Sequence, residues 1–381
     1  MKIRSLAALL ICSLSAFCSC GSTIPNSNAA IPEITSSSAT AFPTGTAAAI
    51  LTATTGATHT SSKGSAASSD ITSTTSAAAD KQSILREPVE SAAKLTGSAI
   101  SKTAVQTAPK KEETTKKEVH IDSPSCRAAA FYSVDEKELL YSDKINEKTA
   151  PASITKLLTA AAALKVMSPD TTCTVGSELG FVNYDSSLAY IAPGQEITLY
   201  GLITGMLLAS GNDAAYTIAV SAARAASPDK ELSDQEAVDK FCGMMNDLAG
   251  EIGMKDSHFV NPDGWDDSDQ YTTVADILKL SEYVLSVPEI RKTAGCHEKT
   301  VTYLTGGTST WKNSNYLLDP ESEFYCRYAI GLKTGTTINA GNCLSAAFEK
   351  DGKTYISVVV GCETDDDRFA LSNKIFSSFV K

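Results

Sequence analysis

The chain has 381 residues, a formal net charge of −11 and a pI near 5.0. Phosphate backbones repel so acidic a protein, and this balance argues against nucleic acid as a partner. After the leader at residues 1–20, no apolar segment approaches the length that a membrane-spanning helix needs.

Residues 1–20 have the pattern of a secretory signal. A basic start, Lys2 and Arg4, precedes an apolar stretch that is too short to cross a bilayer as a helix. The segment ends in Cys18 and Cys20, followed by small polar residues, and this ending resembles a bacterial lipoprotein processing site. Three outcomes stay open: a lipid anchor on one of the two cysteines, a cleaved signal without lipid, or a short uncleaved anchor.

Residues 21–118 are dominated by Ser, Thr and Ala, with few aromatic residues and no sustained hydrophobic period. This composition cannot bury enough apolar surface to offset the entropy of ordering, so it predicts a disordered tether. A flexible coil of this length would span about 50–60 Å. The remaining residues, 119–381, are predicted to form one globular catalytic domain.

Within that domain the hydrophobic period changes from two to about 3.6 and then returns to two. The predicted elements, in chain order, are strands at 128–134 and 138–141, a helix opening at Ser153, helices at 197–208, 214–226, 241–252 and 273–284, a strand from 329 into Lys333, strands at 342–348 and 354–360 around an Asp351-Gly352 turn, and a helix at 368–380. Strands at both ends with helices between them predict an α+β fold, in which an antiparallel sheet formed from both ends of the domain packs on helices.

Seven of the ten cysteines lie in the predicted domain, widely spaced and odd in number. They are Cys126, Cys173, Cys242, Cys296, Cys326, Cys343 and Cys362. Neither they nor the four scattered histidines have metal-ligand spacing, so no metal site is expected. Isolated cysteines are unusual in an oxidising compartment. We expect mostly buried free thiols.

The sequence PASITKL at residues 151–157 places Ser153 three positions before Lys156. On a helix, residues at this spacing share a face with Cβ atoms about 5–6 Å apart, so the amine reaches the hydroxyl. An unprotonated lysine can then activate the serine as a nucleophile. Ser-x-x-Lys begins at five positions in the chain, namely Ser91, Ser153, Ser227, Ser309 and Ser378. Only Ser153 follows a proline-led entry and opens a long apolar run, which is typical of a buried helix.

Two later motifs follow this one. The sequence SGN at residues 210–212 lies between two predicted buried helices, where a helix end and an N-cap would also explain it. The sequence KTG at residues 333–335 ends an apolar strand, where a lysine is ordinarily a solvated edge charge. Gly335 is more informative, because glycine within a strand often marks close approach by a ligand.

In this order the three motifs match the penicillin-recognising serine enzymes. The chain resembles their D-alanyl-D-alanine carboxypeptidases, the low-molecular-mass penicillin-binding proteins. The resemblance extends from about residue 128 to the C-terminus, and it includes NPDG at 261–264, YTT at 271–273 and AGNCL at 340–344. It implies a β-lactamase/transpeptidase-like fold and a location in the extracytoplasmic cell envelope. Many members continue beyond the predicted closing helix, so membrane attachment is expected only through the N-terminus.

The resemblance also implies the roles of the catalytic residues. Ser153 would attack the carbonyl between the two terminal D-alanines of a peptidoglycan stem peptide, and Lys156 would take its proton. A normal lysine pKa near 10.4 leaves too little neutral amine, but burial and a nearby cation, for which Lys333 is the candidate, both lower it. Ser210 would relay a proton to the departing D-alanine.

The remaining implied roles concern binding. Asn212 would hold Lys156 and the substrate amide, while Lys333 and Thr334 would bind the terminal carboxylate. The backbone N–H groups of Ser153 and Thr336 would form the oxyanion hole. No metal or organic cofactor is needed, and β-lactam antibiotics are expected as covalent inhibitors.

Three alternatives use the same residues. Serine β-lactamases share the fold, but between Asn212 and Lys333 no glutamate has asparagine four positions later, and Gly211 stands where those enzymes usually have aspartate. A non-catalytic wall-binding protein would not need so complete a set of reactive side chains. An endopeptidase that cuts cross-links would use the same set and is not separated by sequence.

Overall fold

The computed structural model describes Ile121 and residues 125–381. The predicted leader, at residues 1–20, and tether, at residues 21–118, lie outside this described part of the chain. The strands are β1 (Ala128–Ser133), β2 (Glu138–Asp143), β3 (Thr172–Thr174), β4 (Glu196–Thr198), β5 (Glu298–Thr302), β6 (Thr308–Lys312), β7 (Ala329–Thr337), β8 (Gly341–Lys350) and β9 (Lys353–Cys362). The helices are α1 (Thr155–Leu164), α2 (Leu199–Leu208), α3 (Asn212–Ala225), α4 (Asp234–Glu251), α5 (Val274–Leu285), α6 (Pro288–Ala294) and α7 (Asp365–Phe379).

The central sheet joins the two ends of the domain. Its five antiparallel strands have the order β2-β1-β9-β8-β7, so β1 pairs with β9 from the far end of the chain. Strands β8 and β9 are joined by Asp351 and Gly352, whose φ angles of 53° and 74° suit a two-residue hairpin turn. The antiparallel sheet and its packing on helices confirm the predicted α+β fold.

Both faces of the sheet are covered. Ile356, Val358 and Val360 of β9 belong to the larger core, which also includes buried residues of α1 to α6. Val359 points to the opposite side, where it packs in a second core with Phe376 of α7. Successive residues of a strand face opposite sides, so a strand buried on both faces is almost continuously apolar.

Local capping explains where several helices begin. The side chains of Ser233 and Glu236 form a capping box, and α4 therefore starts at Asp234, seven residues before the predicted start. Ile197 lies in β4 rather than in a helix, because Thr198 caps α2 by accepting a hydrogen bond from Gly201 N. Within residues 125–381, none of the helices has the length and apolarity needed to traverse a bilayer.

The structure adds elements that the hydrophobic pattern did not predict. Strands β5 and β6 form a hairpin whose residues are mostly polar and exposed, joined through Gly306 and Gly307 with φ angles near 90°. The sequence feature that indicates this hairpin is the pair of glycines, because the strands lack alternating apolar residues. Helix α6 is only seven residues long and starts at Pro288, which the prediction treated as part of a connection.

The expectation of free thiols is wrong for one pair. Cys126 and Cys362 form a disulfide, while Cys173, Cys242 and Cys343 are buried and free as predicted. The bonded cysteines are 236 residues apart in sequence, and pairing of β1 with β9 brings them together. Sequence spacing carries no information about such a contact.

We expect the Cys126–Cys362 disulfide to stabilise the domain by about 2–5 kcal/mol, because it closes a long loop in the unfolded chain. Replacing both cysteines by alanine should lower the free energy of unfolding measured in denaturant by this amount. A reductant should destabilise the wild type and leave the double variant unchanged. Equal stability of both proteins without reductant would contradict the assignment.

Candidate active site

The turn that carries Ser153 presents its hydroxyl to the amine of Lys156. Residues Ala152–Ile154 form a single 3-10 turn, and α1 begins directly after it. Ala152 has a φ of 47°, a left-handed conformation that surrounding contacts must maintain. Lys156 Nζ lies 2.9 Å from Ser153 Oγ. The spacing of three therefore brings the two groups into hydrogen-bond contact, although Ser153 lies in the turn and not in the helix.

Lys156 has two further partners that determine which way its lone pair points. Its side chain is 0% exposed, and Nζ donates to Asn212 Oδ1 at 2.7 Å and to the Asp263 main-chain oxygen at 2.6 Å. Both oxygens can only accept hydrogen bonds. A neutral amine gives them its two hydrogens, and its lone pair then faces Ser153 Oγ, the one partner with a proton to donate.

Burial makes this neutral amine accessible near physiological pH. Removal from water disfavours the ammonium and lowers the pKa of Lys156 to about 8, while the negative charges of Asp263 and Asp213 oppose the change. The sequence predicts Lys333 as a cation that lowers the pKa of Lys156. Burial first, and then Lys156, lowers the pKa of Lys333. Repulsion between two ammonium groups acts on both, so each one disfavours the charged form of the other.

The SGN motif forms the second wall of the site. Ser210 has a φ of 58°, another left-handed non-glycine residue, and its Oγ accepts a hydrogen bond from Lys333 Nζ at 3.1 Å. Asn212 does not cap its helix, because its Oδ1 is bonded to Lys156 and its Nδ2 donates to Ser186 Oγ at 2.9 Å. Ser210 thus contacts Lys333 and Asn212 contacts Lys156, so the SGN motif connects the two lysines.

The KTG motif lies on β7, the edge strand that borders the site. The Lys333 side chain is 1% exposed, and burial, Lys156 and Arg368 together hold its pKa well below the usual value. Among residues 125–381, no carboxylate lies within ion-pair distance of Lys333 Nζ. The Thr334 hydroxyl lies 2.6 Å from Ser314 Oγ. A buried amine without a counter-ion and an adjacent hydroxyl suit an incoming anion, which would favour the ammonium form of Lys333.

Two glycines let the loop and the strand approach the Ser153 turn. A Cβ atom on Gly335 would lie 3.0 Å from Ser153 N and 2.9 Å from Ala152 Cβ. A Cβ on Gly264, whose φ is +87°, would lie 1.9 Å from the Ala152 main-chain oxygen. At Gly335, where the sequence predicts close approach by a ligand, the nearest atoms of the protein are Ala152 Cβ and Ser153 N of the Ser153 turn. Thr336, whose N–H was predicted for the oxyanion hole, directly follows Gly335.

The structure therefore brings together the six side chains predicted for the site, and it adds three contacts that the sequence did not predict. The six are Ser153, Lys156, Ser210, Asn212, Lys333 and Thr334. The additions are Asp263, Ser186 and Ser314. Asp263 belongs to the NPDG sequence noted above, but nothing in the residue pattern singled out the two serines. Among residues 125–381, no cluster of His, Cys, Asp or Glu is arranged to hold a metal ion.

Comparisons with known proteins agree with one another. Residues 114–364 match the family described as D-alanyl-D-alanine carboxypeptidase. The chain is 29% identical over 252 residues to the D-alanyl-D-alanine carboxypeptidase DacF of Bacillus subtilis, covering 65% of this chain and 60% of that protein. It is 29% identical over 272 residues to the D-alanyl-D-alanine carboxypeptidase of a Streptomyces strain, covering 68% of this chain and 88% of that protein. The chain thus spans less than two thirds of the Bacillus relative's length.

Solved structures are also similar to this chain. A crystal structure of a Streptomyces DD-transpeptidase has a TM-score of 0.62 and 26% identity, covering 68% of this chain and 98% of that one. Penicillin-Binding Protein D2 from Listeria monocytogenes, in its ampicillin-bound form, has a TM-score of 0.55 and 29% identity, again covering 68% of this chain and 98% of that one. Both likenesses extend over the same share of the chain.

The buried state of Lys156 predicts a pH-dependent stability. Its folded pKa of about 8 lies below the unfolded value of 10.5, so between these pH values the unfolded chain binds more protons at this residue. The Lys156 contribution to stability should therefore rise with pH in that window, by about 1 kcal/mol per pH unit. The measurement is the free energy of unfolding of the wild type minus that of Lys156→Met. A difference that does not change with pH would refute the lowered pKa.

The contact at Gly335 predicts a steric cost. Gly335→Ala should lower the free energy of unfolding by about 1–3 kcal/mol, because the new methyl group overlaps the backbone of the Ser153 turn. Gly243→Ala is the matched control, since nothing lies within 4 Å of a Cβ at this position in α4. That control should stabilise the protein by up to about 1 kcal/mol. Equal effects of the two substitutions would contradict the close approach of β7.

Proposed function

The chain belongs to the D-alanyl-D-alanine carboxypeptidase family, and on this premise we propose that it is a serine D,D-carboxypeptidase that removes the terminal D-alanine from peptidoglycan stem pentapeptides. The observation that carries the proposal is the buried Lys156 amine, 2.9 Å from Ser153 Oγ and held by two oxygens that only accept hydrogen bonds. This arrangement supplies a nucleophile and its base without a histidine.

In the proposed acylation step, Ser153 Oγ attacks the carbonyl carbon of the penultimate D-alanine while its proton passes to Lys156 Nζ. The carbonyl oxygen becomes negatively charged, and the backbone N–H groups of Ser153 and Thr336 stabilise it as the oxyanion hole. When the C–N bond breaks, the departing D-alanine nitrogen takes a proton through Ser210. The products are an ester on Ser153 and free D-alanine.

We propose that the Lys333 amine accounts for selection of substrates with a free C-terminus. The site holds a buried amine that lacks an anionic partner among residues 125–381, and burial lowers its pKa. A bound carboxylate would favour its ammonium form and accept hydrogen bonds from Lys333 and Thr334. Asn212, whose Oδ1 contacts Lys156, would position the substrate amide.

The fate of the ester separates related activities. Attack by water completes a carboxypeptidase cycle, whereas attack by an amine would be transpeptidation, the activity for which the similar Streptomyces enzyme is named. Cleavage of cross-links would use the same residues. We propose hydrolysis as the main route, and β-lactams as inhibitors that acylate Ser153, which the ampicillin-bound Listeria neighbour supports. Adding an acceptor amine or a cross-linked substrate to the assay distinguishes the three.

The substrate lies outside the cytoplasmic membrane, so we also propose an extracytoplasmic location reached through residues 1–20. Attachment to the membrane would then depend on processing at Cys18 or Cys20, with residues 21–118 as the tether to the catalytic domain at residues 119–381. Mass spectrometry of the mature N-terminus decides between a lipid-modified cysteine, a cleaved leader and an uncleaved one.

Ser153→Ala should abolish both D-alanine release from a D-Ala-D-Ala-ended pentapeptide and covalent labelling by a fluorescent penicillin. The alanine removes only the hydroxyl, so the thermal unfolding transition should stay close to that of the wild type. Ser309→Ala, which alters a Ser-x-x-Lys sequence on β6, is the matched control and should keep both activities. D-Alanine release by a folded Ser153→Ala variant would overturn the proposal, as would rapid hydrolysis of penicillin by the wild type.

Lys333→Met should remove the preference for a free C-terminus. We expect the wild type to cleave the pentapeptide acid at least about 10²-fold more efficiently than its C-terminal amide, because only the acid supplies a counter-ion to the buried lysine. In the variant, kcat/KM for the acid should fall while kcat/KM for the amide changes little, so most of the ratio should be lost. An unchanged acid-to-amide ratio in Lys333→Met would exclude Lys333 from carboxylate recognition.

A further inference from the structure

Asp263 lies in the loop between α4 and α5, in contact with the proposed catalytic pair. Its main-chain oxygen accepts the hydrogen bond from Lys156 Nζ at 2.6 Å. The next residue, Gly264, packs against the Ala152 main-chain oxygen, immediately before Ser153. These two contacts anchor the backbone of Asp263 to the Ser153 turn, so its side chain is placed by the same loop that holds the amine.

The Asp263 carboxyl group is buried and incompletely bonded. The residue is 1% exposed, and Oδ1 accepts a hydrogen bond from Trp265 N at 3.1 Å. Oδ2 is buried without a hydrogen-bond partner among the described residues. An unsatisfied carboxyl oxygen in the interior is costly, so the position is poorly explained by stability alone.

The electrostatic neighbours of this carboxyl group come from four elements. They are Lys156 of α1, Tyr216 of α3, Cys242 of α4 and, through Lys156, Asp213 of α3 and Lys333 of β7. Burial raises the pKa of Asp263, and Lys156 opposes the rise. Reciprocally, the Asp263 charge opposes the lowering of the Lys156 pKa by burial. The two groups therefore ionise as a coupled pair.

Asp213 is the other carboxylate that acts on Lys156, but its oxygens are occupied. Oδ1 accepts hydrogen bonds from Ala189 N and Ala214 N, and Oδ2 accepts one from Ile191 N. The Asp213 carboxylate therefore holds residues 189–191 against the start of α3. Asp263 differs because its Oδ2 is buried without a hydrogen-bond partner among the described residues, while its charge acts on the Lys156 amine.

We propose that Asp263 is a positioning residue for the reaction, whose carboxylate stabilises the positive charge that Lys156 acquires when it takes the Ser153 proton. This inference rests on the proposed function. As the Oγ–C bond forms, the proton moves from Ser153 Oγ to Lys156 Nζ and a neutral amine becomes an ammonium. The main-chain oxygen of Asp263 holds that amine before and after transfer, while the carboxylate offsets part of the cost of charging it in the interior.

The test is the pH dependence of penicillin acylation by the full chain carrying Asp263→Asn. The acid limb of the acylation rate should lie near the Lys156 pKa of about 8 in the wild type. Without the carboxylate the ammonium is less stable, so the limb should move to lower pH by about 1 unit or more. The maximal rate should fall several-fold, because the amine becomes a weaker base. Asp269→Asn, which removes the same charge from an exposed position of the same loop, should leave the profile unchanged.

A second measurement keeps the inference testable if Asp263→Asn does not fold. Coupling is reciprocal, so Lys156→Met should raise the pKa of the Asp263 carboxyl, followed by carbon-13 NMR of the labelled carboxyl groups. An unshifted acid limb in a folded Asp263→Asn protein, or an unchanged Asp263 titration in Lys156→Met, would overturn the positioning role. Either result leaves the carboxypeptidase proposal intact, whereas a wild type that neither releases D-alanine nor takes up penicillin would refute that proposal itself.

Discussion

The three hydrogen bonds of the Lys156 amine are the interaction on which the site depends. A lysine in water is charged and cannot take a proton, and a lysine in an apolar interior is neutral but has no defined orientation. Here the side chain is fully buried, and Asn212 and Asp263 occupy its two hydrogens. Burial thus makes the neutral amine available near neutral pH, and the two acceptors direct its lone pair at Ser153.

The hydrogen bonds of Lys156 require that distant segments of the chain come close to the Ser153 turn. The loop that supplies the Asp263 oxygen reaches the Ser153 turn only because residue 264 is glycine, and β7 reaches the same turn through Gly335. The Ser153 turn contains Ala152 in a left-handed conformation, and the SGN motif begins with Ser210 in another. Such residues persist where tertiary contacts over-determine them, and they concentrate at functional sites.

Electrostatic interactions also link the ionisable side chains of the site. Burial and the neighbouring Lys156 lower the pKa of Lys333, which has no counter-ion among residues 125–381. Burial lowers the pKa of Lys156, and the buried carboxylates of Asp263 and Asp213 partly offset this effect. A cleft with one amine in need of an anion, beside a second amine that must stay neutral, suits a substrate that brings its own carboxylate.

Local signals were enough for much of the fold, while the order of three motifs and the family resemblance that they carry predicted the six side chains of the site. Period-two runs, an Asp-Gly turn and the apolar helices predicted the sheet and its layers, because each reports on residues that are neighbours in sequence. The β5–β6 hairpin was missed because its strands are polar and exposed, and α6 because it is short. The Cys126–Cys362 bond was missed because nothing in a single sequence records a contact across 236 residues.

The sequence by itself determined which reactive groups are present and in what order. Ser153 and Lys156 are three residues apart, the SGN motif follows between two helices, and the KTG motif comes last, on a strand. Only the tertiary structure decided their protonation and direction. Segments that are distant along the chain bury the two lysines and leave Asp263 Oδ2 without a partner. They also make the close contacts at Gly264 and Gly335. A pKa depends on the whole surrounding volume, and that volume exists only after the chain has folded.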